Sequence, residues 1–193
     1  LKILTPAERL AEPRGAKIAI LGRPGVGKTH LLRSLNTAML EDTLFIDAEA
    51  GDIVVADLPV ASIRPRLWTD FRDVGVIIGG PDPARAPDAP YSEAHFRSAT
   101  ANSDLAGLAR FTTLFIDSIS EASRRCLTWA ERQPEATTAN GRRDVRATYG
   151  IVAREMIGWL LQLQQVRTRN VIFVAVLEKV TDDFNVTMVS RTN

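Results

Sequence analysis

The chain has 193 residues, is 45% hydrophobic and 24% charged, and carries a formal net charge of +1. That length suggests one domain with a core of its own, and the near-neutral balance gives no argument for or against a nucleic-acid partner. A single cysteine, Cys126, excludes an internal disulfide framework and a cysteine-rich zinc site. No apolar run reaches membrane-spanning length and no signal peptide is visible, so a cytoplasmic protein without a membrane partner is expected.

Leu1 to Ala16, with Pro6 and Pro13, reads as a loosely structured N-terminal arm packed on the core. Lys17-Ile18-Ala19-Ile20-Leu21 is an apolar, strand-like run. It leads into Gly22-Arg23-Pro24-Gly25-Val26-Gly27-Lys28-Thr29, which spells G-x-x-x-x-G-K-T, the phosphate-binding P-loop or Walker A pattern. Glycines let a backbone wrap closely around an anion with its N–H groups turned inward. Lys28 can meet the outer phosphates as a point charge, and the Thr29 hydroxyl is an oxygen ligand suited to Mg2+. The apolar residues among His30-Leu31-Leu32-Arg33-Ser34-Leu35 and Met39 follow at helical spacing, which predicts a helix whose positive N-terminus, with His30 in its first turn, faces the same anion.

Thr43-Leu44-Phe45-Ile46-Asp47 is a buried strand parallel to the first, because a helix separates the two. Asp47, Glu49 and Asp52 cluster at its carboxyl end, where ligands of open α/β sheets gather. Val60 to Ile63 suits a short strand. Thr69 is expected to cap a helix through Phe71, Val74, Ile77 and Ile78 that closes at Gly79-Gly80. Pro81 to Pro90 holds four prolines and predicts a surface loop. Two further helices are expected, around Ala94 to Ala99 and around Leu105 to Leu108.

Phe111 to Asp117 is an apolar strand ending in aspartate, the Walker B pattern, and places Asp117 as a second Mg2+ ligand. Ser118 and Glu121 have capping-box spacing. Ile119, Ala122, Cys126 and Trp129 give the following helix one apolar face, with Cys126 as a buried structural thiol. Glu131 to Thr148 reads as an exposed basic loop with Arg142, Arg143 and Arg146. The segment from Glu121 to Arg169 has nine arginines against five acids. A helix from Ile151 to Val166, a helix end at Asn170, a third buried strand from Val171 to Leu177 and a mobile polar tail from Thr181 complete the chain.

The expected architecture is α/β: a three-layer P-loop NTPase with a mostly parallel central sheet flanked by helices. The Gly-rich loop, Phe45-Ile46-Asp47-Ala48-Glu49, Leu114-Phe115-Ile116-Asp117-Ser118 and Val171-Ile172-Phe173-Val174, in that order, resemble the RecA-like ATPase core. Within it, the chain is most similar to phage-encoded RecA-like nucleotide-binding proteins, some of them implicated in single-strand annealing. The resemblance divides the chain into an arm (1–16), a RecA-like ATPase domain (17–180) and a tail (181–193). It implies ATP and Mg2+ as cofactors, with Gly22 to His30 holding the nucleotide. It implies Lys28 and Glu49 as catalytic groups, Glu49 activating the attacking water. It also implies a homo-oligomer with nucleotide near subunit interfaces, acting on DNA, single strands included, in a host cytoplasm. The DNA contacts would come from Arg142, Arg143 and Arg146, unless one of these arginines reaches a neighbour's ATP, and from the tail.

One departure stands out. The third core strand of RecA-like proteins often ends in a polar residue that senses the γ-phosphate, whereas here it ends in Val176-Leu177, with Glu178 and Lys179 beyond. The absence of an N-K-x-D base-reading motif favours ATP over GTP. Two other functions fit the same motifs: a nucleotide-gated phage assembly or regulatory module without DNA contact, and a small-molecule kinase with the Pro81 to Pro90 loop as its lid.

Overall fold

The computed structural model describes residues 3–105, 107–181 and 187–191. Six strands form one sheet: β1 (Lys17–Gly22), β2 (Thr43–Asp47), β3 (Ala61–Ile63), β4 (Thr113–Asp117), β5 (Asn170–Thr181) and β6 (Thr187–Arg191). The order is β1-β5-β4-β2-β3, all parallel, with β6 pairing antiparallel to the far end of β5. The last strand of the parallel set is thus inserted between the first and the fourth, with Lys17 beside Val171 and Thr113 beside Asn170. This is the mostly parallel sheet expected from strands separated by helical segments.

Alternation along the strands divides the core in two. Leu44 and Ile46 of β2, Leu114 and Ile116 of β4, and Val171 of β5 face one side. Phe45, Phe115 and Val174 face the other. The first side is covered by three helices: α3 (Trp68–Gly79), α5 (Ile119–Ala130) and α6 (Val145–Gln164), with α4 (Glu93–Thr100) against α3. Trp68, Phe71 and Trp159 interlock there at centroid distances of 5.6–6.0 Å. The buried Trp159 indole N–H donates to the Phe71 carbonyl at 2.8 Å. Gly75 is required by this contact: a Cβ on it would stand 2.9 Å from Trp159 Cδ1.

The second side is covered by short pieces. Instead of one helix after the P-loop, a 3₁₀ segment runs Thr29–Ser34, the chain straightens at Leu35, and Asn36 caps a five-residue α2 (Thr37–Glu41) by accepting from the Met39 N–H. Only Leu32 and Leu40 of this stretch are fully buried; Leu31 and Met39 are exposed, so the apolar spacing that predicts one helix serves two short ones.

Other boundaries shift for local reasons. The arm holds a one-and-a-half-turn helix, α1 (Pro6–Ala11), closed by a Thr5/Glu8 capping box, and its side chains are largely exposed. Leu67, not Thr69, caps α3, and the Asp70 carboxylate accepts from the N–H groups of Arg66 and Leu67. The helix expected around Leu105 to Leu108 is instead two 3₁₀ turns, Ser103–Leu105 and Leu108–Arg110. α6 starts six residues before the expected Ile151, because Asp144 caps it through the Ala147 N–H and Thr148 is buried. The basic loop is accordingly shorter and Arg146 lies in the first turn of a helix. Asn170 ends no helix. It opens β5, where its side chain accepts from the Ala16 N–H and donates to Thr113. Of the tail, 187–191 form β6, while 182–186 and 192–193 lie outside the described residues.

Candidate active site

The tips of β1, β2, β4 and β5 meet at one cleft of about 390 Å3. The P-loop between β1 and the 3₁₀ segment forms one wall. Its two inner glycines carry the reason for being glycine: Gly25 and Gly27 have φ of +76° and +87°, in the left-handed region where a side chain is strained. Gly22 is a close approach instead; a Cβ there would sit 2.9 Å from Val26 Cγ2. Pro24, Gly25, Gly27, Lys28, Thr29 and His30 all line the cleft. Val26 turns outward and is 62% exposed. Arg23 contributes its carbonyl: Lys28 Nζ donates to the carbonyls of Gly22 and Arg23 at 3.0 and 2.9 Å. The ammonium is therefore held within the loop, positioned beside the anion cradle.

Opposite the loop stand the two carboxylates. The Thr29 hydroxyl donates to Asp117 Oδ2, joining the P-loop to the tip of β4. Burial pushes the Asp117 carboxyl above its ordinary range. The Thr29 hydrogen bond opposes that push, Glu49 and Asp47 add repulsion to it, and Lys28 draws the other way. A buried carboxylate among other acids is a place that favours a cation. Thr29 and Asp117 present the hard oxygen donors that Mg2+ takes. Among the described residues no group of three or more His, Cys, Asp or Glu side chains is placed to hold a metal by itself. Two protein oxygens fit a Mg2+ ion whose shell is completed by phosphate oxygens and waters.

Three acids lie at and beyond the end of β2, of which the resemblance singles out Glu49, and the structure places them differently. Asp47 is buried and accepts from the N–H groups of Gly51 and Asp52 at 3.0 and 3.1 Å, tying down the turn that follows it. Asp52 is paired with Arg64 across the surface. Glu49 alone of the three lines the cleft. It is held by a residue that the sequence presents only as a helix cap: Ser118, the residue after Asp117, donates its hydroxyl to Glu49 Oε1 and also accepts from the Glu121 N–H. The β2 and β4 tips are further joined by the Ala48 N–H donating to the Asp117 carbonyl at 2.7 Å. The expected reciprocal bond of Glu121 does not form; its carboxylate pairs with Arg124 and Arg125.

Three residues missed from sequence complete the cleft: Val54 of the 3₁₀ turn Asp52–Val55, Arg124 of α5 and Val176 of β5. The N–H of Val176 donates to Ser120 Oγ at 3.0 Å, which fixes β5 to the start of α5. Glu178 and Lys179, the alternatives for sensing a γ-phosphate, lie further along β5, and their side chains are outside the described residues. Arg142, Arg143 and Arg146 are exposed but do not line this cleft. Arg143 is paired with Glu131, and the Arg142 carbonyl accepts from Thr138 in a tight turn. No helix among the described residues is long and apolar enough to cross a membrane.

Comparison with known proteins agrees with this geometry. No curated protein matches the chain. A family model described as an AAA domain matches residues 14–193, from the end of the arm through the glycine loop, both strand-tip acids and β6. The chain therefore belongs to the AAA domain family, a family of nucleotide-binding P-loop ATPases.

Proposed function

We propose that the protein is a Mg2+-dependent ATPase of RecA-like type that acts on DNA as an oligomer. The observation that carries the reading is the convergence of Lys28, Thr29, Glu49 and Asp117 on one cleft walled by the left-handed glycines. In this reading the loop N–H groups and Lys28 bind the phosphates, and Mg2+, held by Thr29 and Asp117, neutralises charge on the outer ones. Glu49, oriented by Ser118, accepts a proton from the water that attacks in line. The fit to a RecA-like core rests on the order of the motifs and on the Ser118–Glu49 link between neighbouring strand tips. A phage source and a role in strand annealing follow from the resemblance alone.

Titration calorimetry with ATP, ADP and a non-hydrolysable analogue, each with Mg2+, tests the first half. The intact protein should bind all three. Lys28→Ala should weaken the analogue on the order of 100-fold, the upper range for losing charged hydrogen bonds. No heat with any nucleotide would end the proposal.

The DNA half rests on three exposed arginines, Arg142 and Arg143 before α6 and Arg146 in its first turn. A labelled single strand should shift at low salt and be released as salt rises, because phosphate contacts liberate counterions. Arg142→Gln combined with Arg146→Gln should reduce that salt dependence. The pairing of Arg143 with Glu131 favours a second reading, a nucleotide-gated assembly or regulatory module without DNA contact. Normal nucleotide binding with no shift at low salt would select it.

A further inference from the structure

We infer that Asp47 is a positioning residue for turnover: its buried carboxylate closes the turn that presents Glu49 to the cleft, and it acts on the reaction through Glu49. The inference rests on the nucleotide reading above and deepens it, giving a role to an acid outside the cleft lining. Glu49 stands two residues past the end of β2, on an exposed turn. A general base has to sit within hydrogen-bond reach of the water it activates, and a misplacement of about 1 Å can cost on the order of 100-fold. Something has to hold that turn.

The turn is pinned at both ends. At its start the Ala48 N–H donates to the Asp117 carbonyl at 2.7 Å. At its end the Gly51 N–H donates to Asp47 Oδ1 at 3.0 Å and the Asp52 N–H to Asp47 Oδ2 at 3.1 Å. Both oxygens of one carboxylate thus fold the end of the turn back onto the strand it left. Between the pins lies Ala50 at φ +57°, a conformation that a residue with a Cβ keeps only where its surroundings impose it. Asp47 is 2% exposed, and its two amide bonds compensate the burial of its charge. With the turn closed in this way, the Ser118 hydroxyl reaches Glu49 Oε1. Asp47 also adds repulsion at Asp117, so an effect through the turn has to be separated from an effect on the metal site.

The test is a double-mutant cycle on single-turnover hydrolysis of MgATP. It compares Asp47→Asn and Asp47→Ala in the wild-type chain and in Glu49→Gln, with calorimetry of the Mg2+ complex of a non-hydrolysable ATP analogue alongside. Melting curves establish that each variant folds, and Asp47→Asn, which keeps the volume and one accepting oxygen, carries the cycle by itself if Asp47→Ala does not fold. Asp47→Ala should slow hydrolysis ~100-fold, the cost of a displaced base. Asp47→Asn should slow it ~10-fold, having lost one of the two bonds. Analogue affinity should move less than about twofold in either variant, because the group that is displaced acts in the transition state. On the Glu49→Gln background neither change should slow hydrolysis by more than about a further twofold, since residues that act as a unit are not additive. An equal fold loss on both backgrounds, a Mg2+ requirement that shifts with Asp47→Asn, or a wild-type rate in Asp47→Asn overturns the inference and leaves the nucleotide reading standing. Glu49→Gln hydrolysing like wild type removes the base and its positioning residue together, while failure of the wild-type chain to bind the analogue removes the nucleotide reading itself.

Discussion

The two faces of the sheet are built on different principles. On one, three helices of 12, 12 and 20 residues bury Trp68, Phe71, Cys126, Trp159 and Leu163 against Leu44, Ile46, Leu114 and Ile116. On the other, a 3₁₀ segment of six residues, an α-helix of five and the 3₁₀ turn Asp52–Val55 cover Phe45, Phe115 and Val174 with little more than Leu32, Leu40 and Val55. The strand tips that carry Glu49 and Asp117 are common to both. The lesson is a division of labour. The deep face fixes where the tips lie, so the shallow face can give its length to a loop whose backbone serves an anion instead of a core. Local stability is lowest where packing is thinnest, and binding loops are drawn from that end.

Damage to the deep face should therefore be felt as stability. Trp159→Ala removes the residue at the centre of the aromatic cluster and the indole N–H that bonds the Phe71 carbonyl. A loss of about 3–5 kcal/mol is expected, read by urea denaturation. If instead Trp159→Ala melts like wild type, the deep face is not what holds the sheet.

Damage at the strand tips that the two faces share should be felt as chemistry. Glu49→Gln keeps the volume and an oxygen to accept from Ser118, but removes the base. Turnover should fall by roughly 10²–10⁴, the usual worth of a general base, while the melting point and affinity for the ATP analogue stay close to wild type. Hydrolysis at the wild-type rate would exclude Glu49 as the base.

Much of this division was legible in the sequence, and the exceptions have physical causes. The P-loop, both Asp-terminated strands and the helix from Ser118 follow from local chemistry: glycines, strand-long apolar runs and a cap. The insertion of β5 between β1 and β4 is a pairing of residues more than 150 positions apart, Lys17 with Val171, and no local period encodes it. The broken helix after the P-loop carried a signal in Asn36-Thr37, a cap outweighed by the apolar spacing of Leu31, Leu35 and Met39. The earlier start of α6 was likewise written in Asp144, three residues before Ala147, and obscured by Thr148 and Gly150. At the site, the motif supplied Lys28, Thr29 and Asp117. Among Asp47, Glu49 and Asp52 the resemblance singled out Glu49; the turn geometry that occupies Asp47 and the surface pairing that occupies Asp52 leave that same residue at the cleft. Arg124 and Val176 belong to no motif, because their place depends on how α5 and β5 lie over the tips.

A subtler substitution sharpens the contrast. Gly75→Ala adds one methyl in the middle of α3, where helix propensity alone would make it stabilising by about 1 kcal/mol. The methyl would meet Trp159 at 2.9 Å, with Tyr91 also close at 3.4 Å, in a face with no room to yield. Overpacking should win, giving a net loss of about 1–2 kcal/mol. A comparable change at Gly150, where nothing stands within 4 Å of the added Cβ, should be neutral or stabilising. Stability gained at Gly75 would mean that the deep face is looser than its contacts imply.

The smallest expected effect concerns protons. Burial pushes the Cys126 thiol up to about 12, with the Glu155 carboxylate adding to the shift and Arg72 opposing it. An unfolded cysteine ionises near 8.5. Between those values the folded protein keeps a proton that the unfolded chain releases. The contribution of Cys126 to stability is thus intact at neutral pH and falls as pH rises from about 9 toward 12. Cys126→Ala should lose stability at pH 7 through the small cavity, but its denaturation midpoint should decline less steeply than wild type above pH 9. The wild-type thiol should also resist alkylation at pH 8 until denaturant is added, since the thiolate is the nucleophile and the folded chain withholds it. Rapid alkylation of the native protein would mean that the helices of the deep face separate far more readily than the loop they support.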